Sequence, residues 1–205
     1  MPWLTDVVLL VLAYFIGAIP TGLLVGRAAR GIDVRQHGSG NIGMTNVWRL
    51  LGWKLGLTTL LIDAGKAAAA VLLLAPLGAG AIPAIAVFLG LAVLLGNFFN
   101  IFLGGKGGKG VASSLGVFLA LSPAAVLICF AVFVAVVYTT RYISAGSIAA
   151  AVLLPILTAM FQGITPVFWL VLVVAVLVIV KHRANIRRLL NGTESKFGRS
   201  SATAA

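Results

Sequence analysis

The chain predicts an all-α, polytopic membrane protein of seven transmembrane helices, with its N-terminus outside and its C-terminus cytoplasmic. Three observations carry that expectation. Of 205 residues, 61% are hydrophobic and only 9% charged, whereas a soluble domain carries roughly 25% charged residues. Mean hydropathy is +1.14, and the apolar residues gather into runs long enough to cross a bilayer. The charge is sparse and one-sided: 15 Lys and Arg against four acids, net +11.

The first span is expected from about Leu4 to Val25, kinked at Pro20. It is too long for a signal-peptide core and lacks a basic leader, so it reads as a retained span. A second span runs from about Leu55 to Ala75, with Asp63 and Lys66 near its start, and a third from about Ile82 to Phe102, with Asn97 and Asn100 near its end. The apolar stretch after Gly110 continues to Tyr138, interrupted by Ser122-Pro123, and reads as a tight hairpin of two short spans. A sixth span covers about Ile148 to Phe161, and a seventh reaches Val180. Residues 1–198 form a single membrane-integral domain in this reading, and 199–205 a disordered tail.

The basic residues set the orientation. With seven spans they fall at or near the loops 27–54, 104–110 and 139–147 or in the tail, Lys66 lying deepest. The opposite loops, around 76–81, 122–124 and 162–166, contain no Lys or Arg. That is the positive-inside pattern. Nucleic acid is not an expected partner, because the cations sit in short loops rather than along one soluble face. Anionic lipid or an anionic substrate suits them better. The single cysteine, Cys129, lies in an apolar run and excludes an intrachain disulfide or cysteine metal site.

Three polar stretches fall on the basic face. The first is His37-Gly38-Ser39-Gly40-Asn41-Ile42-Gly43-Met44-Thr45-Asn46-Val47-Trp48-Arg49. Its glycines, hydroxyls, amides and arginine suit anion binding, although a plain turn between spans would look similar. The second, Gly104-Gly105-Lys106-Gly107-Gly108-Lys109-Gly110 followed by Ser113-Ser114, is not a Walker A loop: it is one residue short and no hydroxyl follows the lysine. The underlying physics remains. Glycines let backbone approach an anion, the next helix offers N–H groups, and Lys109 adds charge. The third runs from Lys181 to Glu194. If the seventh helix continues, His182 and Asn185 share a face at i, i+3 with Arg188 nearby. Anionic headgroups would explain the basic residues as well.

Asp63 and Lys66, also i, i+3, are a functional candidate as a charged pair within a membrane helix; the favoured alternative is that they neutralise each other and fix the second helix against the first loop. Asn97 and Asn100 are expected either to line a cavity or to bridge helices. Ser144 and Ser147 are placed to cap the sixth helix, and Ser147 can alternatively donate to a phosphate. There is no Ser-His-Asp order, and the acids are too few for paired metals.

Together these residues carry a resemblance. Ile32-Asp33-x-Arg35 with Gly38-Ser39-Gly40-Asn41-x-Gly43-x-Thr45-Asn46-x-x-Arg49, then Gly107-Gly108-Lys109-Gly110-Val111-Ala112, then His182-Arg183-x-Asn185-Ile186-x-Arg188-Leu189-x-x-Gly192-x-Glu194-x-Lys196 resemble the three signatures of the bacterial acyl-phosphate:glycerol-3-phosphate acyltransferase family. The resemblance runs from the first span to about Gly198.

It implies seven spans in the bacterial inner membrane and an active site facing the cytoplasm. It also implies transfer of a fatty acyl group from acyl phosphate to the 1-hydroxyl of glycerol 3-phosphate, giving lysophosphatidate. Catalytic, phosphate-binding roles are implied for Ser39, Arg49, Lys109, Ser147, His182 and Asn185. Substrate-binding roles are implied for Gly40, Asn41, Thr45, Asn46, Lys106, Gly107, Gly108, Ser113, Arg188 and Glu194. No cofactor or metal is expected, and the protein is expected to act as a monomer amid membrane lipid. The chain departs from the family pattern at Asn97, where histidine is usual, at Ser113, where threonine is usual, and at Met44, where alanine is usual. The rival reading is a transporter of a phosphorylated metabolite, against which stands the placement of all three motifs on one face.

Overall fold

Proline and glycine divide the apolar sequence into ten α-helices in the computed structural model, which describes residues 1–82 and 84–198. The expected tail at 199–205 lies outside those residues. No strand occurs among the described residues. The helices fall into two compact units, Met1–Leu121 and a second beginning at Ser122.

The first unit opens with α1 (Pro2–Ala18) and α2 (Thr21–Arg30), inclined by 42° to each other. The single kinked span expected over this stretch is thus two helices. Pro20 lacks an N–H and drives its predecessor out of the helical region, and Ile19 accordingly has ψ 115°. The carbonyl of Ile19, left outside the helical ladder, accepts from Lys66 Nζ at 2.6 Å. Lys66 also pairs with Asp63 Oδ1 at 2.7 Å, and Thr21 Oγ1 donates to the same oxygen at 2.7 Å. The i, i+3 pair therefore neutralises itself as expected, and it also fastens the α1–α2 break.

Gly31 closes α2 in the left-handed conformation, with Arg27 and Arg30 in the last turn favourable to the helix dipole. After a short 3-10 turn at Val34–Gln36 come α3 (Met44–Leu51) and α4 (Trp53–Leu74), separated only by Gly52. Then follow α5 (Ile85–Phe98), a 3-10 turn at Ile101–Leu103, and α6 (Val111–Leu121). In this unit α5 packs along α1, and α6 and α3 along α4. Backbones approach closely at small residues, as in membrane helix pairs: a Cβ on Gly96 would collide with the Tyr14 carbonyl, and one on Gly116 with that of Ala64. Asp6, fully buried on α1, accepts from the Ala79 and Ile82 amides at 2.7 and 2.8 Å and so holds the loop that follows α4.

The second unit contains α7 (Pro123–Thr140), α8 (Ile143–Gln162), α9 (Pro166–Lys181) and α10 (Arg183–Leu190). Pro123 and Pro166 open their helices, where a missing N–H costs nothing. Helix α8 packs against both α7 and α9. The last two helices bend by 56° at His182, so α9 does not simply continue.

Among the described residues, four helical segments are long and apolar enough to cross a membrane: Trp53–Leu77, Ile85–Leu103, Pro123–Thr140 and Ile143–Gln162. Counting each bent pair as one span makes six, and α6, with 11 residues, is shorter. Large apolar side chains such as Leu61, Leu73, Val134, Ile156 and Trp169 face outward, which suits lipid rather than water.

Candidate active site

In the first unit, the first and second polar stretches meet. Gly22 of α2 has no room for a Cβ because the Ile42 carbonyl lies against it. Ile42 joins Leu23, Val34 and Val47 in a small apolar cluster, against which Leu103 packs. The polar loop is thereby seated on α2 through Ile42. Gly108 lies where a Cβ would stand 3.8 Å from Ile42 Cγ1 and 3.2 Å from Asn97 Oδ1.

Asn46 shapes the first stretch from within. Its Oδ1 accepts the Ser39 amide at 2.9 Å, and its Nδ2 donates to the Val34 and His37 carbonyls at 2.9 and 3.2 Å. It is 1% exposed. Asn41 Oδ1 accepts the Gly43 amide at 2.8 Å. Ser39 and Gly40 are exposed, Arg49 half-buried in the last turn of α3, and the Thr45 hydroxyl lies 3.8 Å from Met44 Sδ. Asp33 Oδ1 accepts from the Arg35 amide, and its carboxylate is forked by the Arg35 guanidinium at 2.6–3.2 Å. Those hydrogen bonds hold the Asp33 carboxyl well below the usual carboxylate range.

The second stretch is a tight backbone loop. A Cβ on Gly107 would collide with the Asn97 carbonyl, which accepts the Gly108 amide at 3.0 Å. Gly110 has φ 77° and lies against the Phe98 ring, a place no L side chain fits. Helix α6 starts immediately afterwards, so its first amides open onto this loop. Lys106 is exposed and Lys109 half-buried. Around the loop, Asn97 Oδ1, Ser113 Oγ and Ser114 Oγ are buried without a hydrogen-bond partner among the described residues. Buried polar atoms in that state are uncommon, and each calls for an explanation. Asn100 bridges helices, donating to the Ala18 carbonyl at 2.5 Å. Of the two roles expected as alternatives, Asn100 takes the bridging one. Ser114, which closes the second stretch in the sequence but has no role assigned there, lies in the first turn of α6.

In the second unit the third stretch is organised around Glu194. Its Oε1 accepts from Ser144 Oγ at 2.7 Å and Asn185 Nδ2 at 2.6 Å; its Oε2 accepts from Arg188 Nε at 2.6 Å. Burial pushes this carboxyl up, but the three hydrogen bonds and the Arg188 charge outweigh it and hold it below the usual glutamate range. His182 and Asn185 are both buried, at 3% and 6% exposure. His182 Nδ1 lies 2.8 Å from the Val178 carbonyl. A carbonyl can only accept, so Nδ1 carries a proton and the neutral ring has its lone pair on Nε2.

The serines do not cap α8. That helix starts at Ile143, with Tyr142 as its N-cap residue and no side-chain cap. Ser144 and Ser147 therefore lie inside the first turns; Ser147 Oγ donates to the Ile143 carbonyl at 3.0 Å, the common bond of a serine one turn into a helix.

Comparison with known proteins follows the same residues. The family model described as glycerol-3-phosphate acyltransferase matches residues 7–192, which include the first two stretches and the third as far as Gly192. A glycerol-3-phosphate acyltransferase of Geobacter sulfurreducens is 52% identical over 194 residues, covering 95% of this chain and 98% of the relative. Another, of Fusobacterium nucleatum, is 47% identical over 188 residues, covering 92% and 96%. Among solved structures, PlsY, an integral membrane glycerol 3-phosphate acyltransferase, is similar in its glycerol 3-phosphate form with TM-score 0.87 and 36% identity, over 94% of this chain and 96% of that one. Its lysophosphatidic acid form gives TM-score 0.85 at the same identity.

Proposed function

Since the chain belongs to the glycerol-3-phosphate acyltransferase family, we propose that it transfers a fatty acyl group from acyl phosphate to the 1-hydroxyl of glycerol 3-phosphate, releasing lysophosphatidate and inorganic phosphate. The observation that carries this reading is the match over residues 7–192, which takes in the first two polar stretches and the third as far as Gly192. The glycine loop wrapped on Asn97 and the Glu194 cluster supply the chemistry that such a reaction asks for.

The glycerol oxygen attacks the acyl carbonyl carbon, the bond from that carbon to the phosphate oxygen breaks, and phosphate leaves with the electron pair. Inorganic phosphate is a good leaving group, so alignment and charge stabilisation matter more than a strong base. Two phosphate esters bring roughly three to four negative charges. Arg49, Lys109, the first amides of α6 and the basic residues around His182 are the groups that meet them, with Ser39, Ser147 and Asn185 as neutral donors. Gly40, Asn41, Thr45, Lys106, Gly107, Gly108, Ser113 and Arg188 complete the binding set. Asn46 and Glu194 act on substrate through the groups they hold, the Ser39 amide and the Asn185 amide respectively.

The proton of the attacking hydroxyl goes to His182 Nε2 or to the substrate phosphate. Carboxylates are poor candidates, because Asp6, Asp33, Asp63 and Glu194, the four acids of the chain, are each held by protein donors. No covalent enzyme intermediate is required.

The same reading places the protein in the bacterial inner membrane with seven spans: four single segments, two bent pairs and α6. The N-terminus lies outside, and the C-terminus and the three stretches face the cytoplasm. The support is the absence of Lys and Arg from 76–81, 122–124 and 162–166.

Purified protein incubated with palmitoyl phosphate and glycerol 3-phosphate is expected to form lysophosphatidate, with and without EDTA, and to leave acyl-CoA and acyl carrier protein unused. Product from acyl-CoA alone would overturn the donor. Absence of product from every donor, with uptake of glycerol 3-phosphate into proteoliposomes, would overturn the reaction in favour of transport.

A further inference from the structure

At the C-terminal end of α7 lies a groove of about 350 Å³ that the proposed reaction does not use. Phe133, Val134, Val137 and Tyr138 recur on one face of the helix and, with Phe197, form apolar walls. Arg141 stands at its end. The Phe197 amide donates to the Arg141 carbonyl at 2.6 Å, which fixes the far wall against the helix terminus.

Arg141 is an unusual residue for that terminus. It closes α7 with φ 65°, in the left-handed region where glycine is the common residue. Its side chain is exposed and makes no hydrogen bond or ion pair among the described residues; the four acids are all engaged elsewhere. A second cation, Lys196, precedes Phe197 in the chain and lies 5.8 Å over the Tyr142 ring, next to Arg141 in sequence. Two cations thus stand beside an apolar groove on a helix long and apolar enough to cross the membrane.

We propose that this groove is a docking site for an anionic phospholipid, one acyl chain lying along α7 and the phosphate at Arg141 and Lys196. An alkyl chain suits walls of valine and aromatic rings, and a guanidinium gives paired donors to phosphate oxygens. Charge chooses the headgroup: a zwitterionic lipid adds an ammonium group, quaternary in phosphatidylcholine, that two cations repel. The acyl donor has related chemistry but fits less well. None of Ser147, His182 or Asn185 lines the groove, so a donor with its phosphate at Arg141 would keep its reacting carbonyl away from them.

The test is lipid retention by the purified full-length protein in detergent, read by native mass spectrometry with phosphatidylglycerol and phosphatidylcholine of matched chains. Wild type is expected to retain phosphatidylglycerol preferentially. Arg141→Gly suits the left-handed backbone and should keep the thermal midpoint, while the preference falls roughly fivefold, the usual effect of one cation near a lipid surface. Val134→Trp fills the groove with both cations intact and is expected to lower retention of both lipids. Equal retention of the two lipids by wild type, an unchanged preference in Arg141→Gly, or unchanged retention in Val134→Trp would each overturn the proposal. So would a raised KM for palmitoyl phosphate in lipid-free Arg141→Gly enzyme, which would give the groove to the acyl donor.

Discussion

Asn185 donates its side-chain amide to Glu194 across 2.6 Å, at the same carboxylate oxygen that Ser144 reaches from α8. One carboxylate therefore ties α10 to the start of α8 and turns the asparagine. It is also an anion among cations, charge-matched by Arg188 at 2.6 Å.

Replacing that carboxylate is expected to cost stability before it costs chemistry. Glu194→Gln keeps the shape but turns an amide NH2 toward one of three donors. A loss of about 1–3 kcal/mol follows from leaving a buried donor unmatched. The pH dependence has a definite sign. The folded carboxyl sits below the glutamate range, so its stabilisation is full above about pH 4.3, the ordinary glutamate value. It is lost as pH falls through the lower, folded value. Thermal midpoints measured from pH 7 down to pH 3 should fall more steeply in wild type than in Glu194→Gln and converge at the acid end. Parallel curves would remove Glu194 from that role.

Asp63→Asn is expected to lower expression and thermal stability more than specific activity. Asp63 neutralises Lys66, and Lys66 in turn satisfies the Ile19 carbonyl at the α1–α2 break. Removing one partner of a buried pair typically costs about 3–5 kcal/mol, because the other charge is left uncompensated. Asp63→Asn combined with Lys66→Met should recover part of that loss. A stable but inactive Asp63→Asn protein would instead place the carboxylate in the chemistry.

The Asp63–Lys66 pairing was legible because the two residues lie one helical turn apart, and helix geometry alone brings them together. The three polar stretches were legible for a similar reason: each is contiguous, and glycine between apolar runs has few other uses. What could not be read depends on distance along the chain. Asp6 and the loop amides it holds are more than 70 residues apart, and Ser144 and Glu194 are 50 apart. The break after Ile19 hid inside an unbroken apolar run, where Pro20 announced a disturbance without giving its size. Helix α3 hid inside the first motif, whose glycines suggested only a loop. Asn46 looked like a ligand-binding amide, yet it is buried and its hydrogen bonds shape the loop that presents Ser39.

Lys109→Ala is expected to abolish transfer while leaving the protein folded and inserted. The lysine is half-buried in a loop whose shape is set by Gly107 against Asn97 and Gly110 against Phe98. Removing a charge-stabilising donor at a developing oxyanion costs about 10²–10³ in turnover. The check is kcat on protein whose thermal midpoint matches wild type. Near-normal turnover would take Lys109 out of the site.

The remaining question is where the proton goes, and His182 and Asn185 answer it as a pair. They lie at the bend between α9 and α10 and are both buried. The Val178 carbonyl occupies His182 Nδ1, so a proton taken by the neutral ring would go to Nε2. Of the two side chains only the imidazole has a nitrogen lone pair that can take a proton. If His182 is the base, His182→Ala loses roughly 10²–10⁴-fold in turnover, the usual range for removing a general base. The acidic limb of its pH–rate profile then disappears. If His182 only orients glycerol 3-phosphate, the loss falls on KM and the limb stays. Asn185→Ala is expected to raise KM for glycerol 3-phosphate and leave acyl-phosphate affinity alone, because an amide orients but takes no proton at neutral pH. His182→Gln separates the cases further, since glutamine retains hydrogen bonding without titrating. Wild-type turnover and an unchanged pH profile in His182→Gln would rule out the base and leave the phosphate of the acyl donor as the proton acceptor.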